Sequence, residues 1–296
     1  MVIQEARKDL QQKLSSVYNN NESGIIADWV IESITGKSRS ERIVNKSEEL
    51  SDVQQEKIDA AQRRLLSHEP VQYVLNESWF CGMKFYVDNH VLIPRPETEE
   101  LVEWIISNLK FPFQKLRILD IGTGSGCIAV SLKRKLRKAE VWACDISKDA
   151  LQVAHRNAKM LHAGIHFVQL DFLDKEDWNK LPVFDIVVSN PPYVPVKDKE
   201  QMNRNVLDFE PHLALFVPDD DALKFYKAIA TFGKQHLHIK GSIFLELHEE
   251  YAAATSKLYE TEHYEMELKR DMQGKDRMLR ANFSPINSHA DSNVFM

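Results

Sequence analysis

Apolar residues over the first seventy positions recur at intervals of three and four. Ile3, Ala6, Leu10, Leu14 and Val17 form one stripe, which Asn19-Asn20-Asn21 interrupts. A second stripe, Ile26, Trp29, Val30 and Ile34, lies within residues 22–35 and stops at Gly36, a residue type that tolerates the left-handed turn closing a helix. After a polar stretch, Ser51 is placed to cap a third helix carrying Val53, Ile58, Ala61, Leu65 and Leu66, which ends before Pro70. Stripes of this kind are stable only when packed on one another, so the spacing predicts a small all-α domain over residues 1–70. No catalytic motif falls within it, which leaves packing or the docking of a partner as its expected work.

Between Val71 and Ile93 the period changes. Trp79, Phe80, Phe85, Val87, Val91 and Ile93 are mixed with Gly82, Asp88 and Asn89, a pattern expected of a β-hairpin linking two domains. Pro94 to Glu100 then leads into a helix through Leu101, Val102, Trp104 and Ile105, with Pro96 or Thr98 near its start. From Leu116 the chain alternates strand and helix, the signature of a parallel sheet with right-handed crossovers. Strands are expected at residues 116–121, 140–144, 165–170, 184–189 and 242–247. Two further runs, 264–269 and 277–283, follow without a helix between them and predict an antiparallel hairpin at one edge. The second domain is therefore expected over residues 94–284, with 285–296 a polar, disordered tail.

Composition narrows the possibilities. In 296 residues the formal net charge is -6, which argues against nonspecific nucleic-acid binding through phosphate neutralisation. The basic run Lys133-Arg134-Lys135-Leu136-Arg137-Lys138 falls at an expected helix end, where cations favour the negative pole of the helix dipole. No apolar run is long enough to span a bilayer, and the first residues lack the pattern of a signal peptide, so a cytoplasmic location is expected. The three cysteines, Cys81, Cys127 and Cys144, are not at metal spacing, and the pair His236 and His238 lacks an accompanying motif; no metal is expected.

Chemistry concentrates where the expected strands end. Asp120-Ile121-Gly122-Thr123-Gly124-Ser125-Gly126 joins the first of them to a helix, and its glycines allow a ligand to approach the backbone. A dinucleotide fingerprint requires glycine at position 127, which is Cys127, so the spacing tilts against NAD. Asp145 ends the second strand and is suited to accept from a ribose diol, although a carboxylate there also suits a helix cap. Asp171-Phe172 ends the third and offers an acceptor for an adenine amine beside an apolar wall. Asn190-Pro191-Pro192-Tyr193 ends the fourth. Its prolines carry no N–H and fix φ, so the turn presents oxygens without competing donors and suits a planar –NH2 group; it also suits a plain strand exit.

These strand-end residues resemble the Rossmann-like methyltransferases that bind S-adenosylmethionine, edge hairpin included. More narrowly, Pro70-Val71-Gln72-Tyr73, Leu92 to Glu99, the glycine turn, Asn190 to Tyr193, Phe209-Glu210-Pro211 with Ala214-Leu215, and Gly274-Lys275-Asp276-Arg277 resemble the PrmC/HemK family over about residues 70–283. Members of that family methylate the side-chain amide nitrogen of the glutamine in the Gly-Gly-Gln loop of class I peptide-chain release factors. The resemblance implies S-adenosylmethionine as cofactor, held by Gly122, Thr123, Gly124, Gly126, Asp145, Asp171, Phe172 and Asn190. It implies catalysis by Asn190, Pro191 and Tyr193: the Asn190 side-chain oxygen and the Pro191 carbonyl accept from the substrate amide, Tyr193 packs on its plane, and Pro192 completes the substrate contact. Three positions depart from the family pattern: Asn76 and His248 stand where glycine is usual, and Tyr251 where glutamine is. The last two bear on contacts along the strand end after Leu245-Glu246 and are expected not to touch the nucleophile site.

Two other readings remain at this point. Enzymes that methylate an exocyclic adenine amine in DNA or RNA use a similar Asn/Asp-Pro-Pro-Tyr turn, but the acidic balance and the Arg95 to Glu99 and Glu210-Pro211 motifs favour a protein substrate. A cofactor-binding adaptor without catalysis would not need an intact Asn-Pro-Pro-Tyr turn. Because a pocket that reads only an amide cannot choose one glutamine among many, the helical domain is expected to supply substrate recognition, with release factors as partners and no membrane or direct nucleic-acid contact.

Overall fold

The computed structural model describes residues 1–109 and 115–283, and its contacts divide the chain into two units. The expected tail at 285–296 lies outside the described residues. Among them, no helix is long and apolar enough to cross a membrane.

The first unit comprises Met1–Glu77 with Val87–Asn89 and Met202–Glu210. Its helices are α1 (Ile3–Leu14), α2 (Asn20–Thr35), α3 (Arg39–Val44), α4 (Asp52–Leu66) and α5 (Val71–Leu75). Asn19 caps α2 by accepting from Asn21 N at 3.1 Å and Glu22 N at 3.0 Å, and Gly36 closes it at φ +69°. Leu10, Leu14, Ala27, Val30, Ile31 and Leu65 form the centre of the core. The buried face of α2 is Ile26, Ala27, Val30 and Ile31, turned slightly from the expected stripe, so Trp29 is left 47% exposed. Val53 also points outward, at 60% exposure.

Helix α3 falls in the stretch read as polar. It forms around a buried charge: the Arg42 guanidinium, 6% exposed, donates to Asp28 Oδ1 (3.0 Å), Glu32 Oε2 (2.7 Å) and the Lys37 carbonyl (2.8 Å). Arg7 donates to both oxygens of Asp28, each at 3.0 Å, and so shares Oδ1 with Arg42. Burial alone would push the Asp28 carboxyl up, but Arg7 and Arg42 outweigh it and hold it below the usual range. The segment expected to open a hairpin at Val71 begins instead as α5. Asn76 ends that helix in the left-handed region at φ +55°, a conformation asparagine tolerates better than most residues, and its side-chain amide donates to Val87 O at 3.0 Å. The departure from glycine there keeps the backbone shape.

The second unit opens with the hairpin β1 (Ser78–Phe80) and β2 (Met83–Phe85), turned by Cys81 and Gly82, both at positive φ. It continues through α6 (Pro96–Ser107), β3 (Arg117–Ile121), α7 (Cys127–Lys135), β4 (Glu140–Asp145), α8 (Lys148–Met160), β5 (Ile165–Gln169) and β6 (Phe184–Ser189). After the short strand β7 (Val194–Pro195) come α9 (Arg204–Phe209), which belongs to the first unit, and β8 (Phe216–Val217), which pairs with β7. The chain closes with α10 (Lys224–His236), β9 (Leu237–Glu246), α11 (Ala252–Thr261), β10 (Tyr264–Arg270) and β11 (Asp276–Phe283).

Among the described residues, seven strands form one sheet in the order β10-β11-β9-β6-β3-β4-β5, with β9, β6, β3, β4 and β5 parallel and β11 antiparallel to both its neighbours. Alternate residues feed two apolar layers: Ile118, Val141, Ile186, Val188 and Phe244 on one face, Leu119, Val187, Ile243 and Leu245 on the other. β9 starts five residues earlier than the expected Ser242, through an irregular stretch with Lys240 at φ +72° and Ile239 80% exposed. Asn157, fully buried on α8, exchanges bonds with Tyr86 N (2.7 Å) and Tyr86 O (2.9 Å) and donates to Ser125 O (2.8 Å). It thereby joins the segment after the hairpin to the turn after β3.

Arg42→Ala should lower stability by about 1–3 kcal/mol, because it removes the charge-assisted bonds accepted by Asp28, Glu32 and the Lys37 carbonyl; an unshifted urea midpoint would show that the network adds nothing. Gly233 lies within α10, where alanine would ordinarily favour the helix, yet a methyl group there would run into Tyr264 Oη and come within 2.7 Å of Ile243 Cδ1. Gly233→Ala should therefore destabilise by about 1–3 kcal/mol rather than stabilise by the ~1 kcal/mol of helix propensity, and a raised melting temperature would contradict this.

Candidate active site

The carboxyl ends of β3, β4, β5 and β6 open into one cavity of ≈ 340 Å³. Such a position, outside the carboxyl ends of a parallel sheet, is where α/β folds bind ligands. The turn after β3 forms its floor. Gly122 (φ +69°) and Gly124 (φ +53°) have open space where a Cβ would stand, so a ligand can reach their backbone. Gly126 (φ +79°) serves differently, since a Cβ there would lie 3.1 Å from that of Ala154 and α7 could not pack so closely on α8. The turn is held from beneath by Asp120, fully buried, which accepts at one oxygen from the Thr123 hydroxyl (2.6 Å) and Ala129 N (3.2 Å). Burial pushes its carboxyl up to about 7, and among the described residues its second oxygen has no partner.

Asp145 lies across the floor at the end of β4. It accepts from Gly124 N and Ser147 N, both at 2.9 Å, and burial, outweighing these donors, raises its pKa. The helix cap that a carboxylate could have supplied comes instead from Ser147, which accepts from Ala150 N at 3.1 Å. Asp145 thus keeps lone pairs for the cavity. Asp171 anchors its own turn by accepting from Leu173 N (2.9 Å), and Phe172 beside it packs edge-on against Phe232 at 5.1 Å.

At the end of β6, the Ser189 hydroxyl donates to Ile121 O at 2.8 Å and ties this strand end to that of β3. Asn190, Pro191 and Pro192 then line the cavity. Behind them runs a chain of buried polar groups. Asn190 Nδ2 donates to Thr98 Oγ1 (3.1 Å), Thr98 Oγ1 donates to Glu246 Oε2 (2.7 Å), and the Tyr193 hydroxyl donates to Glu246 Oε1 (3.2 Å). Thr98 is 3% and Glu246 1% exposed. Burial, only partly offset by the two hydroxyls and Arg277, pushes Glu246 up to about 7. Burial and the Glu246 charge raise the Tyr193 phenol, which stays protonated.

Of the residues expected from the sequence, Gly122, Gly124, Asp145, Asp171, Phe172, Asn190, Pro191 and Pro192 share this cavity. Thr123, Gly126 and Tyr193 are not among its lining residues; the first two shape the glycine turn, and Tyr193 stands behind the Asn-Pro-Pro turn. Contrary to expectation, one of the departures does reach the group behind the turn: the His248 ring lies edge-on to that of Tyr193 at 5.7 Å, and Tyr251 packs on His248 in turn at 5.6 Å. No sequence motif marks Asp120 as a brace, Thr98 as the partner of Asn190, or Glu246 as the acceptor behind Thr98 and Tyr193. The available signal was a glutamate inside the apolar run Ile243-Phe244-Leu245-Glu246-Leu247, since a carboxyl in a central strand needs buried donors.

Comparison with known proteins agrees with this layout. The "Methyltransferase small domain" family matches residues 99–208, and the "PrmC N-terminal domain" matches residues 3–75. The catalytic domain of hMettl16, solved with the MAT2A 3′UTR hairpin 6, shares the fold at a TM-score of 0.55 and 16% identity, covering 80% of this chain and 84% of that one. The release factor glutamine methyltransferase of Flavobacterium psychrophilum is 41% identical over 96% of this chain and 100% of its own length. That of Bacteroides thetaiotaomicron is 39% identical over 92% and 97%. With identity of this level running through both units and the whole length of these relatives, the chain belongs to the release factor glutamine methyltransferase family.

Proposed function

We propose that this chain transfers a methyl group from S-adenosylmethionine to the side-chain amide nitrogen of the glutamine in the Gly-Gly-Gln loop of class I peptide-chain release factors. The observation that carries the reading is that Asn190-Pro191-Pro192 faces the same cavity as Asp145 and the open glycines 122 and 124. The cavity's residues fit the cofactor by type. The uncovered backbone at Gly122 and Gly124 admits its close approach, Asp145 retains lone pairs for ribose hydroxyls, and Asp171 with Phe172 offers an acceptor and an apolar wall for the base. Bound there, S-adenosylmethionine supplies an electrophilic methyl group.

An amide nitrogen is a poor nucleophile because its lone pair is delocalised into the carbonyl. As it gains a methyl group it loses conjugation and becomes positively charged. The Asn190 side-chain oxygen and the Pro191 carbonyl, fixed beforehand, accept from the two amide hydrogens and stabilise that charge as it develops. The proton becomes acidic only after the N–C bond has formed and then passes to solvent, so no base is needed beforehand. Tyr193, with its hydroxyl on Glu246, holds the turn from behind.

The amide pocket cannot select one protein, and we assign that selection to the first unit, where Ile25 and Trp29, one turn apart on α2, are 45% and 47% exposed. A release factor as substrate implies a cytoplasmic location.

Mass spectrometry of a recombinant release factor after incubation with labelled cofactor tests the proposal. One methyl group on the Gly-Gly-Gln glutamine is expected; label in nucleic-acid adenine, or none in the factor, would overturn it. Asp145→Ala should weaken cofactor binding at least roughly tenfold by calorimetry, since bonds to a charged acceptor contribute about 1.5–3 kcal/mol. Asn190→Ala should leave that affinity within a few fold while slowing transfer roughly a hundredfold. If binding and rate fell together, Asn190 would belong to the cofactor site instead. Trp29→Glu should slow methylation of the intact factor and spare a short Gly-Gly-Gln peptide; equal loss on both would remove the first unit from recognition.

A further inference from the structure

We propose that Glu246 and Thr98 are positioning residues that decide which end of the Asn190 amide faces the cavity; the catalytic consequence rests on the glutamine-methylation reading above. A glutamate carboxylate has two accepting oxygens and nothing to donate. Thr98 has a single hydroxyl proton, and at 2.7 Å from Glu246 Oε2 that proton is committed to the carboxylate. Only lone pairs remain on Thr98 for Asn190, so the side chain of Asn190 must meet it with Nδ2, as it does at 3.1 Å. Its oxygen is thereby turned away from Thr98 and kept for the substrate. The Tyr193 hydroxyl, at 3.2 Å, occupies the second carboxylate oxygen, so both ends of the Asn-Pro-Pro-Tyr turn are fixed by one buried anion.

Protonation would reverse the chain. A neutral Glu246 can donate to Thr98, whose own proton is then free to meet Asn190 Oδ1. The amide can rotate end for end without losing a bond, and its NH2 group would face the NH2 group of the substrate, donor against donor. The groups around Glu246 set where this happens. Thr98 and Tyr193 donate to the carboxylate, the Tyr226 hydroxyl donates to the Glu246 backbone carbonyl (3.1 Å), Arg277 favours the charge and Glu97 opposes it. Burial is the strongest influence and brings the carboxyl up to about 7, so the charged, productive form prevails above that pH and is lost as pH falls through it.

The test uses the full chain with Thr98→Val, Thr98→Ser and Glu246→Gln variants. In the wild type, kcat for release-factor methylation should rise with pH through an acid limb near pH 7. Thr98→Val should lower kcat roughly tenfold, as expected for a misplaced reacting group, with KM for the factor and cofactor affinity within about twofold; Thr98→Ser should restore it. Glu246→Gln should abolish the acid limb. Independently of activity, the ¹⁵N side-chain amide signals of Asn190, identified by their loss in Asn190→Ala, should titrate with the same midpoint in the wild type and become pH-invariant in Thr98→Val. An acid limb that survives in Glu246→Gln, full kcat in Thr98→Val, or Asn190 signals that ignore pH in the wild type would each overturn the inference. If the wild type methylated no release factor, the functional reading would fail, while the Asn190 titration would still decide the positioning. Should Glu246→Gln not fold, the threonine pair and the wild-type titration carry the decision.

Discussion

The site depends first on the parallel pairing of β6 with β3. β3 is the strand from which the chain turns both ways, with β4 on one side and β6 on the other, so the turns leaving β3 and β6 open beside one another at the same edge. The Ser189 hydroxyl on Ile121 O fixes that alignment at its last register position. A glycine turn made for a ligand's backbone contact and a proline turn made for a planar amine are thereby brought to one cavity. Neither would be a site alone.

Each turn is stiffened by a carboxyl group buried in the sheet beneath it. Asp120 holds the glycine turn through Thr123 and Ala129, and Glu246 holds the asparagine turn through Thr98 and Tyr193. Burying a carboxyl without a cation in contact is costly. What it gives in return is direction: hydroxyl and amide groups around an acceptor-only centre have little choice of orientation. The first unit uses charge differently, setting Arg42 against Asp28 and Glu32 so that opposite charges offset the cost of burial.

Much of this was legible along the chain. The strands of the sheet are runs of β-branched and apolar residues whose ends sit near their expected positions, and the glycine and proline turns declare themselves by residue types that few other conformations require. The parts that were not legible share a cause. α3 forms around a buried arginine rather than an apolar stripe, and the exposure of Trp29 and Val53 reflects which face a helix turns inward, which its own sequence leaves open by a fraction of a turn. The early start of β9 runs through residues without alternation, so no period marks it. Thr98 and Glu246 stand 148 positions apart and meet only once the sheet has formed. Thr98 alone reads as a helix start, and no local pattern links it to Asn190.

Asn157 has a consequence for inheritance. By bonding both polar backbone groups of Tyr86 and the carbonyl of Ser125, it makes one helix side chain stand in for a missing strand. The hairpin that precedes Tyr86 is therefore bound to the architecture of α8 and the glycine turn, although it lies next to the helical unit in sequence. In recombination between relatives, a crossover between Glu77 and Ser78 would leave these three partners in one parental block, whereas one between Tyr86 and Val87 would require two lineages to have kept the same buried amide.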